Sequence, residues 1–473
     1  MSQPGHHPIT RRSLMRSAGA LIGATGIHAL PGIPGLQNER PTGHHHRPRA
    51  RALLHVHLAG GPSQLDLYDP KPELARRDGE PCPDYLLEGK RFAFLKGRPV
   101  LMGSPYSFRQ HGESGTWMSD LLPHLSTQVD RLAFIRSMRG EEFNHTPAQL
   151  LLHSGSPRFG RPGIGAWLDW ALGTGNPDLP GYVVMVSGGQ VPSAGASLWS
   201  AGFLPSVHQG VEVRGTGDPV LYLNDPPGSG ATDRRRLLDA LGDLNRTAHS
   251  VHHDPETLTR THQYELAHRM QTAVPETLDL GTEKSDTLAR YGITRDRDSF
   301  ARNCLMARRL IESGVRIVQL YDWGWDHHGS NLQEDIRHHL PAKCQTVDRP
   351  LAALLEDMAN RGLLEETLVL CTGEFGRTPM RENRNQSGFV GRDHQPDAFT
   401  VWLAGAGIAG GTSLGETDDR GGRVSSRPVE IFDLQATVMH LFGFDHERLT
   451  YAFQGRDFRL TDVAGHLVDD ILA

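Results

Sequence analysis

The chain has 473 residues, with 49 Lys and Arg against 55 Asp and Glu, so its formal net charge is −6. This slightly acidic composition excludes a general nucleic-acid-binding protein, which would be strongly basic. The hydrophobic fraction is 37%, and no apolar run reaches the roughly 18 residues of a membrane-spanning helix, which excludes a polytopic membrane protein. The 26 histidines are the notable excess, because imidazole is the commonest metal ligand and a frequent general acid or base.

The first 50 residues predict an export signal. Residues 10–16 contain paired arginines, a weakly hydrophobic stretch rich in Gly and Ala follows, and Pro31 and Pro34 end it. The pattern resembles a twin-arginine signal. It predicts an exported, periplasmic or extracytoplasmic protein that has the twin-arginine export machinery as a partner. A disordered basic tail is the alternative interpretation. The fold is therefore expected to begin at residue 51.

From residue 51 onward, apolar strands alternate with helices. The predicted strands, in chain order, cover residues 51–58, 131–137, 181–187, 315–321, 367–372 and 399–404. The predicted helices cover 116–129, a segment that begins near Thr146, 163–172, 233–275, 300–311, 331–360 with interruptions at Pro341 and Pro350, and 430–442. Nearly continuous apolar strands separated by helices predict an α/β fold with a mostly parallel sheet covered on both faces. We expect one domain over 51–470 with an insertion at about 188–275.

Acidic and imidazole side chains cluster at the predicted strand ends. The segments 60–72, 141–147, 322–331 and 373–379 each follow a strand, and 391–396 precedes one. In parallel α/β sheets, ligands bind beyond the carboxyl ends of the strands. Mixed carboxylate and imidazole donors on such a scaffold suit divalent Zn, Mn or Fe. Together the five segments predict a divalent metal centre, with the identity of the metal left open.

Two of these segments are the most informative. Asp326, His327 and His328 place three potential ligands in succession, although a solvated turn stabilised by the Asp side chain is the alternative. Glu374 lies two residues beyond a buried strand. A salt bridge with Arg377 is the alternative for that carboxylate.

Taken in order, the segments resemble a family of domains of unknown function, family 1501, in the alkaline phosphatase-like (sulfatase-like) superfamily. The residues that carry the resemblance are Gly60-Gly61-Pro62, Asp66, Asp69-Pro70-Lys71-Pro72, Asn144-His145, Trp325-Asp326, His328, Thr372-Gly373-Glu374-Phe375-Gly376-Arg377-Thr378-Pro379, Gly391-Arg392-Asp393-His394, and the glycine-rich stretch 404–418. The resemblance covers about residues 51–470. It implies a three-layer α/β/α sandwich with a mostly parallel central sheet.

The same resemblance implies a metal-dependent hydrolase of phosphate or sulfate esters, acting on a small-molecule or glycan ester. The metal ligands that it implies are Asp66, Asp326, His328, Glu374 and His394. Arg377 or Arg392 would neutralise the anionic substrate, and a structural ion pair is the alternative for each of them.

The sequence departs from the superfamily pattern at the expected nucleophile. That position falls on His145, next to Thr146, where Ser, Thr or Cys is usual. No Cys-x-Pro-x-Arg segment is present, which excludes a formylglycine-type sulfatase. Phe375 stands where a metal-binding His is usual, which favours a single-metal or altered site.

Two functional hypotheses follow from these departures. In the first, His145 attacks the ester directly or, as we prefer, acts as general acid and base for water. In the second, the chain is a catalytically degenerate member that binds a metal, a glycan or a partner without turnover. A Ser-His-Asp hydrolase has little support, because Ser187 lacks the Gly-x-Ser-x-Gly pattern.

Overall fold

The predicted apolar strands form the centre of the structure. The computed structural model describes residues 41, 43–215, 219–220, 230–294, 299–384 and 388–473, all within the compact unit Arg40–Ala473. The paired arginines of the predicted export signal lie outside the described residues. Residues 45–50 already pack on the domain, through backbone hydrogen bonds to Leu441 and Gly443. In the part of the chain that is described, no helix is long and apolar enough to cross a membrane.

Nine of the described strands form one sheet, and four hairpins account for the others. The strands are β1 Ala52–Ala59, β2 Phe108–His111, β3 Thr116–Ser119, β4 Leu132–Arg139, β5 Tyr182–Ser187, β6 Val211–Glu212, β7 Ile317–Trp323, β8 Thr367–Thr372, β9 Gly376–Arg377, β10 His394–Gln395, β11 Phe399–Ala404, β12 Ser413–Leu414, β13 Glu416–Thr417, β14 Val424–Ser426, β15 Val429–Glu430, β16 Tyr451–Phe453 and β17 Arg456–Phe458. The sheet order is β12-β4-β11-β8-β1-β7-β5-β6, and β15 also pairs with β4. Both neighbours of β11 pair with it in antiparallel fashion, whereas the other pairs are parallel.

Helices cover both faces of this sheet. They are α1 Gln64–Leu67, α2 Pro72–Arg76, α3 His145–Ser154, α4 Ile164–Leu172, α5 Ala231–His252, α6 Pro255–Leu278, α7 Ser285–Tyr291, α8 Phe300–Glu312, α9 His339–Asn360 and α10 Ile431–Leu441. Side chains alternate between the two faces along a strand. Accordingly Leu54 and Val56 pack in the core with α8 and α9, while Leu53 packs in the second core with α3, α4 and α10. The predicted three-layer α/β/α sandwich with a mostly parallel sheet is confirmed.

The predicted helix over 116–129 is wrong. Thr116–Ser119 forms strand β3, and Leu125–Arg131 is a 3₁₀ helix. Pro123 lies between them and cannot donate the backbone hydrogen bond that a continuous helix needs. The helix predicted over 331–360 is shorter than expected, because α9 begins at His339. It also continues through Pro350, where an interruption was expected.

The predicted insertion at 188–275 has two parts. Its first part contains the short 3₁₀ helices Gly195–Trp199 and Ser206–His208. Its second part is the pair of long helices α5 and α6, which Arg235 and Glu265 join through an ion pair. The ion pair lies between the facing surfaces of these two charged helices. The second part is therefore helical and contributes no strand to the sheet.

Candidate metal centre

The central strands bring several predicted loops to one edge of the sheet. Strand β1 lies between β7 and β8, and the register pairs Ala59 with Trp323 and His57 with Thr372. The segments that follow these three strands therefore leave the sheet side by side. Helix α3 begins at the same edge with His145. One donor atom from each of four residues lies within 4.8 Å of the others, and these residues are His145, Asp326, His328 and His394.

Asp326 lies between the three imidazole rings. Its Oδ1 is 2.7 Å from Nε2 of His328 and 3.3 Å from Nε2 of His394. Those two nitrogens are 2.9 Å apart. Its other oxygen, Oδ2, lies 3.2 Å from Nε2 of His145. Asp326, His328 and His394 thus form a compact triangle of donors, and His145 faces it from the other side of the carboxylate.

Hydrogen bonds fix the orientation of the two triangle imidazoles. Nδ1 of His328 lies 2.6 Å from Oε2 of Glu382, and Nδ1 of His394 lies 2.7 Å from the carbonyl oxygen of Phe143. A carboxylate and a carbonyl only accept, so each Nδ1 carries the proton. In neutral rings the two Nε2 lone pairs then face each other. A cation at this position would remove the repulsion between them, so the donor set fits a divalent metal ion.

Glu374 orients His145 in the same way. Oε1 of Glu374 lies 2.8 Å from Nδ1 of His145 and also accepts hydrogen bonds from the Gly60 amide and the Gln149 side chain, both at 3.0 Å. Nε2 of His145 is near Asp326, but the angles are not those of a hydrogen bond, and this buried nitrogen has no hydrogen-bond partner. Glu374 is therefore the residue that holds His145, outside the four-donor group.

Both carboxylates of the centre are charged at neutral pH. Burial favours the neutral form of Glu374, but the neighbouring imidazoles of His145 and His57 hold its pKa well below the usual value. Burial acts likewise on Asp326, and the charge of Arg377 together with the surrounding imidazoles holds its pKa well below the usual value. Burial lowers the pKa of His145, but the neighbouring carboxylates of Asp326 and Glu374 outweigh it and raise that pKa to about 9. Carboxylates held in the charged form in a mostly desolvated centre favour the binding of a cation.

Gly60 and Phe375 allow the loops to pack this closely. Gly60 has a φ of +117°, and a Cβ on it would lie 2.6 Å from the backbone nitrogen of Asp326. Only glycine fits there without displacing the loop that carries the ligand. The ring of Phe375 packs against those of His394 and His145, with centroids at 4.3 Å and 5.1 Å. Phe375 thus supports two imidazoles from a position next to Glu374.

Sequence comparison assigns the family. A family model described as "Protein of unknown function (DUF1501)" matches residues 50–472. The chain belongs to the DUF1501 family. The resemblance expected from the sequence is therefore confirmed. No curated protein matches the chain.

Solved structures similar to this DUF1501 chain include three enzymes. The lipoteichoic acid synthase LtaP from Listeria monocytogenes is 10% identical, with 87% of this chain and 74% of that chain covered and a TM-score of 0.36. The PsFucS1 sulfatase from Pseudoalteromonas sp. is 12% identical, with 85% and 69% covered and a TM-score of 0.36. The alkaline phosphatase from the Antarctic bacterium TAB5 is 10% identical, with 79% and 95% covered and a TM-score of 0.30.

Asp66 and Arg392 lie in an ion pair of their own in this DUF1501 chain. Oδ2 of Asp66 is 2.8 Å from Nε of Arg392, and Oδ1 is 3.2 Å from Nη2. Both side chains are fully buried, and Arg392 also donates to the carbonyl of Met102. Asp66 is not one of the four clustered donors. For Arg392 the contact is therefore a structural ion pair, which was the alternative to substrate binding.

Arg377 is likewise engaged by the protein on every nitrogen. Nε donates to the carbonyl of Gly61 at 2.8 Å, Nη1 donates to that of Arg392 at 2.9 Å, and Nη2 lies 2.6 Å from Oδ1 of Asp326. Its ion-pair partner is therefore Asp326, whereas Glu374 was the partner considered from the sequence. Because the guanidinium is buried, it orients the Asp326 carboxylate and joins the loops after β1, β7 and β8.

Two further predicted residues lie near the centre without joining the four donors. His327 turns away, because its Nδ1 contacts the carbonyl of Trp325 and its Nε2 contacts His339. Thr146 follows His145 in the first turn of α3 and is half-buried.

Two residues that hold the site were not predicted from the sequence: Glu382, which holds His328, and Gln149, which holds Glu374. Gln149 had a usable signal, since it lies one helical turn after His145 and on the same face of α3. Glu382 had none, because it lies in an irregular segment away from any predicted strand end.

Proposed function

We propose that this DUF1501 chain is an exported, metal-dependent hydrolase of phosphate or sulfate esters. Asp326, His328 and His394 hold the divalent cation, and His145, oriented by Glu374, is the general acid and base. The observation that carries the proposal is the pair of buried Nε2 atoms, 2.9 Å apart, that face each other beside Asp326. Export through the twin-arginine machinery is supported by the paired arginines within residues 10–16.

The donor set supports a catalytic rather than a structural metal. Three protein ligands leave a coordination position open for substrate, as catalytic zinc sites do. One carboxylate and two imidazoles suit Zn, Mn or Fe. Glu382 and the Phe143 carbonyl hold the imidazoles by their Nδ1 atoms, an arrangement that raises the basicity of metal-bound histidines. When bound, the cation supplies Lewis-acid polarisation of an ester oxygen and activation of water.

His145 is placed to move a proton at the mouth of the site. Its side chain is 17% exposed and that of Asp326 is 27% exposed, whereas His328 and His394 are 2% exposed. Glu374 holds Nδ1, so Nε2 is the atom that gives a proton to the leaving oxygen and, once deprotonated, takes one from water. His145 also begins α3, and the positive end of the helix dipole favours an anionic ester group nearby. In the covalent alternative His145 attacks the ester directly, with Thr146 next to it in the first turn of α3.

The surroundings support a small-molecule or glycan ester as substrate. A cavity of about 730 Å³ is lined by His394 and Phe143 and also by charged residues of both signs, which include Lys90, Arg91, Arg139, Arg423, Glu141, Glu142 and Asp397. Its volume falls within the roughly 300–1,000 Å³ of small-molecule sites. The cavity adjoins His394, one of the proposed ligands, which supports a binding place for the ester beside the donor group.

A panel of chromogenic esters tests the proposed activity. Full-length protein is stripped with a chelator and assayed on phosphate monoesters, phosphodiesters and sulfate esters, with Zn, Mn or Fe added singly. We expect turnover of at least one ester to return with one of the metals and to vanish again with chelator. Silence in every combination, together with tight metal binding, would favour the alternative of a binding protein without turnover.

A further inference from the structure

A second group of histidines lies buried beneath the metal centre. His55 and His57 are two positions apart on β1, so their side chains lie on the same face of the sheet. His153 of α3 packs over them. One donor atom from each lies within 4.8 Å of the others. The proposed hydrolysis uses none of the three. Because buried polar groups must be paired, the directions of their hydrogen bonds show what the group does.

The direction of the hydrogen bonds is set at Gln319. Its Oε1 accepts from the hydroxyls of Tyr182 and Tyr321, so its Nε2 is the donor, and it lies 3.2 Å from Nδ1 of His55. Nδ1 of His55 is therefore a lone pair. Burial lowers the pKa of His55 well below its usual value, so the ring is neutral. The single ring proton of His55 lies on Nε2.

The same direction continues to the metal centre. Nε2 of His55 donates to Oγ1 of Thr372 at 2.9 Å. The Thr372 hydroxyl then donates its proton to Nδ1 of His57 at 3.1 Å. With Nδ1 as acceptor, the proton of His57 lies on Nε2, 3.4 Å from Oε2 of Glu374. The hydrogen bonds that start at Gln319 thus leave an N–H of His57 beside the carboxylate that holds His145, close to it but without the geometry of a hydrogen bond.

These directions argue against a second metal site. His55 has both ring nitrogens engaged, and Nε2 of His57 carries its proton, so neither ring has a lone pair for a cation. We infer that Thr372 is a positioning residue for His145: its hydroxyl sets the tautomer of His57, which places an N–H rather than a lone pair beside the Glu374 carboxylate. This inference rests on the proposed function for its effect on turnover. Without the hydroxyl, His57 is free to turn a lone pair toward Glu374, which repels the carboxylate.

The variants Thr372→Val and Thr372→Ser test the inference, because valine keeps the shape and removes the hydroxyl, and serine retains it. On the ester that the panel identifies, we expect T372V to lower kcat about tenfold, in the range of losses for groups that orient a catalytic residue. KM and metal content should stay unchanged, and T372S should restore kcat. Nitrogen NMR of ¹⁵N-histidine-labelled protein should show His57 as the Nε2–H tautomer in the wild type only.

Thr437→Val is the matched control. Thr437 is also a buried threonine, and its hydroxyl donates to the carbonyl of Asp433 at 2.7 Å and accepts from the amide of Val468 at 3.0 Å. Its loss should lower Tm and leave kcat unchanged. Wild-type kcat in T372V, no rescue by T372S, or an Nδ1–H tautomer at His57 would overturn the inference. A wild type without metal or turnover would instead reject the proposed function, while the NMR tautomer still decides the hydrogen-bond direction.

Discussion

Replacing His328 with alanine is expected to abolish metal binding. His328 is one corner of the donor triangle, 2.7 Å from Asp326 Oδ1 and 2.9 Å from His394 Nε2. Its removal takes one of three ligands and leaves Oε2 of Glu382 without its histidine partner. Removing an orienting group alone typically weakens metal binding about 10- to 100-fold, so losing a ligand should cost at least about 100-fold. Mass spectrometric metal analysis after dialysis measures this loss directly.

His208→Ala is the control for this variant. His208 is also buried, and its Nδ1 lies 2.6 Å from Oδ2 of Asp169, the same separation as between His328 and Glu382. It should therefore destabilise the fold through a similar lost contact and keep the wild-type metal content. If H328A kept that content too, or if H208A lost it equally, the assignment of the ligands would be wrong.

Replacing His145 with glutamine is expected to remove most of the turnover and to leave the metal bound. General acid–base catalysis contributes about 10²- to 10⁴-fold in rate, and glutamine cannot move a proton at the position of Nε2. Since the donor triangle does not include His145, the metal content should stay near that of the wild type. The kcat on the identified ester and metal analysis of the same sample check both parts.

Two buried carboxylates provide an internal comparison for this prediction. Glu374 and Glu382 each accept the Nδ1 proton of one histidine, at 2.8 Å and 2.6 Å. E374Q should lower kcat with the metal retained, whereas E382Q should weaken metal binding. Loss of metal from H145Q to the extent seen in H328A would make His145 a fourth ligand. An unchanged kcat would remove it from the catalytic mechanism.

The sequence predicted the sheet well, because apolar strand patterns and their flanking glycines are local signals. The strands at 367–372 and 399–404 match β8 and β11 at both ends. Since parallel neighbours end at one edge, the proximity of Asp326 and Glu374 also followed from strand ends, whereas His394 reaches that edge because β11 runs antiparallel to β8. The helix over 116–129 failed because its apolar residues pack in a hairpin and a 3₁₀ turn, and pairing with a distant strand is not a local property.

Pairing between distant side chains could not be predicted. Asp66 and Glu374 looked alike as carboxylates just after strands, but Arg392 pairs with the first and His145 contacts the second. The two histidines of β1 were interpreted only as members of an apolar strand. Two buried imidazoles on one face need hydrogen-bond partners, and those partners were not predicted. Their partner Thr372 lies more than 300 positions away.

The most direct test of the account is a crystal structure of the protein grown with Zn or Mn and recorded above the absorption edge of that metal. We predict an anomalous difference peak within coordination distance of Asp326 Oδ1, His328 Nε2 and His394 Nε2. His145 Nε2 should lie outside that distance and remain hydrogen-bonded through Nδ1 to Glu374. A peak elsewhere, or none at saturating metal, would contradict the central claim.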